Sequence, residues 1–363
     1  KAVVVISDAM RYEVGEELLR RIREQDKFDA QIEPILSSLP SYTQLGMASL
    51  LPHEQLAISD AEKAVVSING NPTAGLENRK KILASNPNGD RTAAWQATDF
   101  LELKSIDAKE IIRDHDVLYI YHNVIDATGD SAKTEEKVFE AVEDALVELV
   151  TLVRKLTSAN AGHIFVTADH GFIYQNRDLQ ESDYLSVKPE GDEILFQDRR
   201  FILGRGLNEH PSFKKFNASE LGLDGDIEVL IPKSINRLRR KGSGAKYVHG
   251  GASLQEVIVP VLKINKGRQN DTALVDVSIL TGATKTITTG QLSVRFYQEE
   301  AITEKIQPRK LRLGIYALDG TLLSDTHELM FDMTSSNPRD REQKAQLLLS
   351  KAADAYNNKE VVM

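Results

Sequence analysis

Four segments of the sequence place an apolar run beside residues that bind divalent metal ions well. The acidic and imidazole side chains next to these runs are Asp8, His122, Asp126, Asp130, Asp169, His170 and His249. Buried carboxylates repel one another, so gathering several of them at one place demands compensating positive charge. Two divalent cations would supply that charge. The pattern therefore predicts a metal site that can handle anionic substrates.

Taken singly, each of these residues also has an ordinary structural interpretation. An Asp after a strand often caps the next helix, and Asp8 could cap a helix near Glu13. A lone His in an apolar context is more often a core residue than a ligand. The run Asp169-His170-Gly171, directly after a buried strand, is harder to justify on structural grounds.

A hydroxyl group with nucleophilic potential lies at Thr43. Pro40 breaks whatever precedes it, and the apolar spacing through Met47 predicts a helix that begins at Ser41 or Thr43. A hydroxyl at a helix N-terminus meets unpaired backbone N–H groups, which suits phosphate binding. A simple Ser/Thr N-cap is the alternative interpretation.

The elements that would position these residues follow an α/β pattern. Near-continuous Val/Ile/Leu runs predict strands at 2–6, 31–36, 64–68, 117–121, 163–167 and 256–262. Residues 135–156 carry an apolar stripe at helical spacing. Strands that alternate with helices predict an open, mostly parallel sheet with helices on both faces. In such sheets ligands bind beyond the carboxyl ends of the strands, where the candidate residues lie.

Two domains are expected along the chain. Residues 1–265 would form the α/β domain, with an insertion or cap at 176–245 that is rich in charge, Gly and Pro. Residues 266–363 show short alternating stretches and turn signals such as Asp319-Gly320, which predict a β-sandwich-like domain. A helix is predicted at about 339–356.

Bulk composition restricts the protein class. The chain has 363 residues, no Cys and a net charge of −9. Thiolate metal sites are therefore excluded, and a whole-surface nucleic-acid binder is disfavoured. The absence of Cys fits a cytoplasmic protein. No apolar run approaches the roughly 18 residues that span a bilayer, so we expect no membrane partner. The chain opens directly on an apolar run and ends on a strand-like one, which favours a fragment of a longer protein.

Five ordered motifs resemble those of PglZ proteins, a branch of the alkaline phosphatase superfamily. They are 4–12 (VVISDAMRY), 41–43 (SYT), 121–130 (YHNVIDATGD), 167–171 (TADHG) and 248–253 (VHGGAS). The C-terminal β region resembles the domain that follows in the PglZ proteins of BREX phage-defence systems. The resemblance implies an alkaline-phosphatase-like fold and, as partners, other BREX proteins, including a methyltransferase and small accessory subunits.

The resemblance also implies two metal ions, zinc in most relatives. One would be bound by Asp8, Asp169 and His170, with Thr43 as the bound nucleophile. The other would take Asp126, His249 and a third ligand. The superfamily commonly has His at that third position, whereas this chain has Asp130. A carboxylate there makes Mn²⁺ or Mg²⁺ more acceptable. His122 is an alternative to Asp130 as the third ligand. The preferred interpretation is that His122 packs near the ligands and supports them.

Basic residues near the predicted ligand His249 suggest how a substrate binds. Arg237, Arg239, Arg240, Lys241 and Lys246 lead into that residue. A solvated surface is one interpretation of such a charge run, and contact with an anionic substrate such as a nucleotide or nucleic acid is another. Three functions remain open: a metal-dependent phosphodiesterase or nuclease in phage defence, a phosphomonoesterase, and a scaffold with weak or no catalysis.

Overall fold

Apolar strands alternate with amphipathic helices along residues 1–266, as the sequence predicts. The computed structural model describes residues 1–25, 28–87, 89–240, 244–266, 273–280 and 286–363. The strands of residues 1–266 are β1 (Ala2–Ser7), β2 (Phe28–Leu36), β3 (Leu56–Asp60), β4 (Val65–Ile68), β5 (Asn71–Pro72), β6 (Thr92–Gln96), β7 (Val117–His122), β8 (His163–Thr167), β9 (Ile173–Tyr174), β10 (Gly191–Gln197), β11 (Ile202–Leu207), β12 (Phe213–Asn217), β13 (Glu228–Pro232), β14 (Tyr247–Val248) and β15 (Ile258–Lys266). The α-helices are α1 (Tyr12–Arg23), α2 (Thr43–Ser49), α3 (Leu76–Ala84), α4 (Ala97–Glu102), α5 (Ser105–Asp114), α6 (Ile125–Gly129), α7 (Val138–Ser158) and α8 (Leu254–Val257).

The central sheet has the strand order β2-β15-β8-β1-β7-β6. Neighbours β8, β1, β7 and β6 are parallel, whereas β15 runs antiparallel to both β8 and β2. The predicted open, mostly parallel sheet is therefore confirmed. Because β15 is reversed, its amino end lies at the same edge as the carboxyl ends of β8 and β1. Residues just before β15 and just after those strands consequently meet.

Helices cover both faces of this sheet. Along β1, Val3 and Val5 belong to a core that includes buried residues of α1, α5 and α7. Ile6 belongs to a second core, with buried residues of α2, α3 and the 201–231 region. Successive strand side chains point to opposite faces, so one apolar run serves both cores. The helix predicted from the stripe at 135–156 is confirmed as α7.

Two strand predictions need correction. The run at 64–68 forms β4, but this strand lies in a separate antiparallel sheet, β3-β4-β5. The strand at the edge of the central sheet next to β7 is instead β6, which the sequence pattern did not indicate. Its sequence, TAAWQ, has small residues in place of a Val/Ile run, because an edge strand buries less surface than a central one.

The predicted insertion at 176–245 contains a small antiparallel sheet. Its strand order is β10-β11-β13-β12. Two side chains from this region, Arg200 and Arg237, are fully buried although they are charged. Residues 241–243, including Lys241 of the predicted basic run, lie outside the described residues. The role of the insertion as a cap stays a prediction.

The chain forms two compact units by its internal contacts. Residues 1–23 and 28–266 form the first, and the described residues from 273 onward form the second with Glu24 and Gln25. The predicted division into two separate domains stays a prediction. Within the described residues, no helix is long and apolar enough to cross a bilayer.

The second unit is rich in strands, as predicted. Its strands are β16 (Ala273–Leu274), β17 (Val277–Leu280), β18 (Gln291–Gln298), β19 (Ile306–Gln307), β20 (Arg309–Leu313), β21 (Tyr316–Ala317), β22 (His327–Phe331), β23 (Glu342–Leu348) and β24 (Val361–Val362). The helix predicted at 339–356 is wrong, because β23 pairs with β18 and a 3₁₀ turn follows at Lys351–Tyr356. Ala345 and Leu347 alternate into the core, so tertiary packing overrides the helical preference of this segment.

Candidate active site

Loops at the carboxyl edge of the central sheet bring six of the seven predicted site residues together. Asp8 follows β1, and Asp169 and His170 follow β8. Asp126 lies in α6 after β7, Thr43 is the first residue of α2, and His249 follows β14. Asp8, Asp169 and His170 offer ligand atoms that all lie within 4.8 Å of one another, and so do Asp126, His170 and His249. His170 is therefore common to two groups of candidate metal ligands.

The first group consists of three acceptor atoms that face each other. His170 Nε2 is 3.5 Å from Asp8 Oδ1 and 3.4 Å from Asp169 Oδ2. The Nδ1 atom of His170 lies 2.9 Å from the carbonyl oxygen of Gly171. A carbonyl only accepts, so Nδ1 carries the proton and Nε2 presents a lone pair to the two carboxylates.

Such an arrangement fits a bound cation. Among the described residues, Asp8 Oδ1 and Asp169 Oδ2 are buried and have no hydrogen-bond partner. Buried polar atoms are normally satisfied, so unpaired acceptors gathered around one point indicate that a positively charged species belongs there. Carboxylate oxygens with one imidazole nitrogen suit Zn²⁺, and Mn²⁺ is acceptable. The residues present thus fit the predicted metal.

The electrostatics of the first group agree with this interpretation. Burial, followed by the charge on Asp169, raises the pKa of Asp8 well above its ordinary value. Burial also raises the pKa of Asp169. Burial lowers the pKa of His170, so its imidazole is neutral at pH 7. The protein without metal therefore favours a proton in the place where a divalent cation would bind.

The second group stacks two imidazole rings beside a carboxylate. The rings of His170 and His249 lie 4.2 Å apart and nearly parallel. His249 Nε2 is 3.7 Å from Asp126 Oδ1. Burial lowers the pKa of His249, but the combined charges of Asp126, Asp130, Asp198 and Asp169 outweigh that effect and leave the pKa raised.

Asp130, the seventh predicted ligand, lies beside the second group. It lines the same cavity as Asp126 and His249, but it belongs to neither group of converging ligand atoms. Burial and then the charge of Asp126 raise the pKa of Asp130. Its assignment as a metal ligand stays a prediction.

A tyrosine that sequence reasoning did not assign to the metal site fixes the orientation of Asp126. The buried Tyr247 hydroxyl donates to Asp126 Oδ1 at 3.0 Å. A Cβ atom on Gly129 would come within 2.5 Å of the Tyr247 ring, so glycine at 129 leaves room for the ring. The sequence signal for this pair is the Gly129 that follows Asp126 by three positions.

Removal of the Tyr247 hydroxyl is expected to weaken metal binding. In Tyr247→Phe, Asp126 loses the donor that orients it, and such outer partners typically contribute about 10–100-fold in metal affinity. Competition with a chelating dye measures the change. Tyr174→Phe, on the strand paired with that of Tyr247, is the matched control and should bind metal as the wild type does. Equal affinities in all three proteins would contradict the prediction.

The predicted nucleophile contacts the histidine common to both groups. Thr43 Oγ1 lies 3.0 Å from His170 Nε2, and it donates because Nε2 is unprotonated. The helix begins at Thr43, one of the two predicted starts. Tyr42 occupies the N-cap position, and its side chain makes no capping hydrogen bond to the helix. The Thr43 hydroxyl is therefore directed at the candidate metal ligands and does not cap its own helix.

Close packing of α2 against the Asp169 loop sets this contact. A Cβ atom on Gly46 would lie 2.5 Å from the backbone oxygen of Asp169. Gly46→Ala must therefore push α2 away from the loop, and overpacking of this kind costs about 1–3 kcal/mol. We expect a lower melting temperature together with weaker metal binding. Gly290→Ala, where a Cβ meets no atom within 4 Å, should change neither, and an unaltered Gly46→Ala protein would refute the expectation.

A buried ion pair holds the loop that carries His249. Arg200 and Glu256 pair at 3.0 Å with almost no exposure, and Glu256 also accepts from the Gly251 amide at 2.8 Å. The Ser41 hydroxyl donates to the Gly251 carbonyl at 2.6 Å. The loops of Thr43 and His249 are thus tied together.

His122 is the last residue of β7 and belongs to neither group of converging ligand atoms. Its Nδ1 is 2.9 Å from Ser7 Oγ, and its Nε2 is 3.4 Å from Glu148 on α7. Burial lowers the pKa of His122 to about 4. These contacts agree with the supporting role preferred from the sequence.

A cavity of about 360 Å³ opens beside Thr43. Its described wall consists of Tyr42, Thr43, Gln44, Asp126, Asp130, Asp198, Arg199, Arg240, Gly244, Tyr247, Val248 and His249. Asp198 and Gln44 were not anticipated from the sequence. Volumes of roughly 300–1,000 Å³ are typical of small-molecule sites, so one phosphate ester with part of its substituent has room here.

The four predicted substrate-binding residues divide into different environments. Arg237 is buried and donates to the carbonyls of Ala245 and Lys246, so it is a structural residue and its predicted substrate contact is corrected. Arg239 pairs with Glu181. Lys246 pairs with Glu136 at 2.7 Å. Among these four, Arg240 lines the cavity that contains Thr43.

The sheet with its reversed strand β15 and the ligand groups at its carboxyl edge define an alkaline phosphatase-like domain. Comparison with known families makes this specific. The chain belongs to the PglZ family, because residues 1–264 match the family described as the BREX system PglZ alkaline phosphatase-like domain. The predicted family and fold class are therefore confirmed.

Curated relatives extend over nearly the whole chain. It is 40% identical over 359 residues to the alkaline phosphatase-like protein BrxZ of Escherichia coli O9:H4 (strain HS), which covers 96% of this chain and 41% of that protein. It is 38% identical over 355 residues to the alkaline phosphatase-like protein PglZ of Bacillus cereus (strain H3081.97), with the same coverage. The chain thus spans about two fifths of the length of these relatives.

A solved structure with a related chain path is murine ectonucleotide pyrophosphatase/phosphodiesterase 5. It is 13% identical to this chain, with a TM-score of 0.47, and the match covers 74% of this chain and 90% of that one.

Proposed function

We propose that this domain is a metal-dependent phosphoric-ester hydrolase with Thr43 as nucleophile, acting as a phosphodiesterase or nuclease in BREX phage defence. One observation carries the proposal. The Thr43 hydroxyl lies 3.0 Å from His170 Nε2, which faces Asp8 and Asp169 at 3.5 and 3.4 Å. A hydroxyl held against a set of unpaired metal-ligand atoms is the arrangement that an activated oxygen nucleophile needs.

The ligand sets would be Asp8, Asp169 and His170 with Thr43 for one ion, and Asp126 and His249 with Asp130 for the other. Divalent cations, when bound, lower the pKa of the Thr43 hydroxyl and offset charge on the departing oxygen. Zn²⁺ suits the two imidazoles, and the added carboxylates allow Mn²⁺ or Mg²⁺.

The chemistry of the chain itself has two stages. Thr43 Oγ1 loses its proton to solvent and attacks phosphorus in line. The P–O bond to the leaving group breaks, the departing oxygen takes up a proton from solvent, and a phosphothreonine ester forms. Water then attacks the same phosphorus, releases the product and restores the Thr43 hydroxyl. Tyr247 holds Asp126 in place, and the Arg200–Glu256 pair holds the His249 loop throughout.

The cellular setting is part of the proposal. The family description names the BREX system, and the relatives carry the names BrxZ and PglZ. These names support a BREX setting. Within the proposal, the protein is cytoplasmic and works with other BREX proteins, including a methyltransferase and small accessory subunits, on a nucleic acid or nucleotide. A scaffold function predicts at least one broken metal set, whereas Asp8, Asp169 and His170 offer converging ligand atoms, and so do Asp126, His170 and His249.

A substrate panel tests the proposal. Protein loaded with Zn²⁺ or Mn²⁺ is incubated with p-nitrophenyl phosphate, bis-p-nitrophenyl phosphate and oligonucleotides. Diester turnover that a chelator abolishes supports the phosphodiesterase, and turnover of the monoester alone favours a phosphomonoesterase. Neither metal uptake nor turnover would leave the scaffold function.

A further inference from the structure

The cavity that contains Thr43 adjoins a second cavity of about 280 Å³. Arg199, Arg240 and Gly244 belong to the walls of both cavities. The rest of the described wall of the second cavity consists of Glu135, Leu179, Tyr184, Ala245 and Lys246. A ligand whose reacting group lies at Thr43 can therefore extend past the two arginines into the second space.

Asp198 holds Arg240 at this boundary. The guanidinium Nη1 of Arg240 lies 2.7 Å from Asp198 Oδ2, and 46% of the Arg240 side chain is exposed to solvent. The other carboxylate oxygen of Asp198 accepts from the Arg199 amide at 2.7 Å, so the carboxylate is anchored. Arg240 also lies over the Phe196 ring, 5.5 Å from its centroid. The guanidinium is thus oriented but still open to a further anion.

The distribution of charge separates two binding tasks. The ligand groups around His170 offer cation sites next to Thr43, where the reacting phosphate belongs. Arg240 belongs to the shared boundary of the two cavities, where a planar guanidinium can bind phosphate oxygens in pairs. The protein as a whole carries a net charge of −9. A cation at the cavity wall therefore distinguishes this place from the acidic surface and attracts anionic ligands to it.

We propose that Arg240 binds a second, non-reacting phosphate group of the substrate. The preferred substrates are then phosphodiesters that carry a further phosphate on the adjoining sugar, as a nucleic acid strand or a 5′-ester of a nucleotide 3′,5′-bisphosphate does. This inference rests on the proposed hydrolase function and adds the feature that selects its substrate. Arg240 acts on specificity, so its loss should slow substrates that carry the further phosphate more than simple diesters.

A matched pair of chromogenic substrates tests this role. Thymidine 5′-(p-nitrophenyl phosphate) is compared with the same compound bearing a 3′-phosphate. We expect wild-type protein to favour the 3′-phosphorylated compound in kcat/KM. Arg240→Gln should reduce kcat/KM for that compound by about tenfold more than it reduces kcat/KM for the compound without the 3′-phosphate. Arg205→Gln removes the same charge from β11, where Arg205 pairs with Glu193 and Asp226, and should change neither value.

Each alternative outcome decides one of the two proposals. If Arg240→Gln slows both compounds equally, the second-phosphate inference is overturned while the hydrolase function stands. If the wild type hydrolyses neither compound, and neither bis-p-nitrophenyl phosphate nor oligonucleotides, the proposed function fails. Calorimetry on Mn²⁺-loaded protein then decides the inference, because Arg240→Gln must weaken thymidine 3′,5′-bisphosphate selectively relative to thymidine 5′-monophosphate. Stronger competition by a single-stranded oligonucleotide than by the bisphosphate would identify a nucleic acid strand as the source of the second phosphate, and the reverse would identify a free nucleotide.

Discussion

Thr43→Ala is expected to lower kcat for ester hydrolysis by at least about 10³-fold, because it removes the oxygen that makes the first attack on phosphorus in the proposed mechanism. Metal affinity should fall much less, about tenfold at most, since the two carboxylates and the imidazole of the first group remain. Single-turnover kinetics and dye competition measure the two quantities separately. The combination of lost turnover with retained metal is the distinguishing result.

Two further variants sharpen this test. Thr43→Ser keeps a hydroxyl near His170 Nε2 and should retain a measurable rate together with a trapped phosphoserine. Thr151→Ala removes a hydroxyl that donates to the Val147 carbonyl on the exposed face of α7 and should behave as the wild type does. Near-normal turnover by Thr43→Ala would mean that water attacks phosphorus directly and that Thr43 has another role.

Asp169→Asn is expected to be more stable than the wild type without metal and less stable than the wild type with metal. Asp169 Oδ1 accepts from the Ala9 amide at 3.2 Å, which an Asn oxygen can still do. The new amide group takes the place of Oδ2 and can donate toward Asp8 Oδ1, which has no partner among the described residues. The metal-free variant should therefore gain about 1–3 kcal/mol, because an unpaired buried charge is replaced by a satisfied donor.

With metal the order changes. A ligand at about 100 times its dissociation constant stabilises the wild type by roughly 2.7 kcal/mol, and the variant loses most of this gain. Melting curves with EDTA and with Mn²⁺ should thus cross, the variant melting higher in EDTA and lower in metal. Asp144→Asn on the exposed face of α7 is the control and should follow the wild type. A variant that melts lower under both conditions would show that Asp169 is a structural residue.

The pH dependence has a definite sign for the same protein without metal. The raised pKa of Asp8 and Asp169 means that the folded state holds protons that the unfolded chain has released. This contribution to stability is present at low pH and is lost as pH rises through the raised values. The difference in melting temperature between Asp169→Asn and the wild type, measured in EDTA, should accordingly widen as pH rises.

The sequence predicts the location of the site better than its internal arrangement. Asp8, Asp169 and His170 follow strands whose Val/Ile/Leu runs are unambiguous, and the rule for strand ends then places them at one edge. The sequence could not show that the single His170 ring offers a ligand atom to both groups, because this depends on how β8 and β15 position two loops next to each other. Thr43 was predictable as a helix start, but its contact with His170 depends on the close approach allowed at Gly46.

Long-range packing explains the remaining errors. The Arg237 prediction came from a run of basic residues, yet its guanidinium is taken up by backbone carbonyls in the interior. Asp198 and Arg240 meet across 42 positions of the chain, a pairing that spacing cannot disclose. The strand β23 was missed because its residues favour a helix locally, and only pairing with β18 selects the extended form.

The reversed strand β15 has a consequence for how the protein is made. Within the described residues, β2 joins the central sheet through β15 alone. The loop that carries His249 precedes β15 and is bonded to Ser41 through its Gly251 carbonyl. A chain emerging from the ribosome therefore carries an unpaired β2 and an incomplete second ligand group until its residues around 266 have been synthesised. Under the proposed function, hydrolysis would therefore have to wait until β15 has joined the sheet and the His249 loop has met the loop of Thr43.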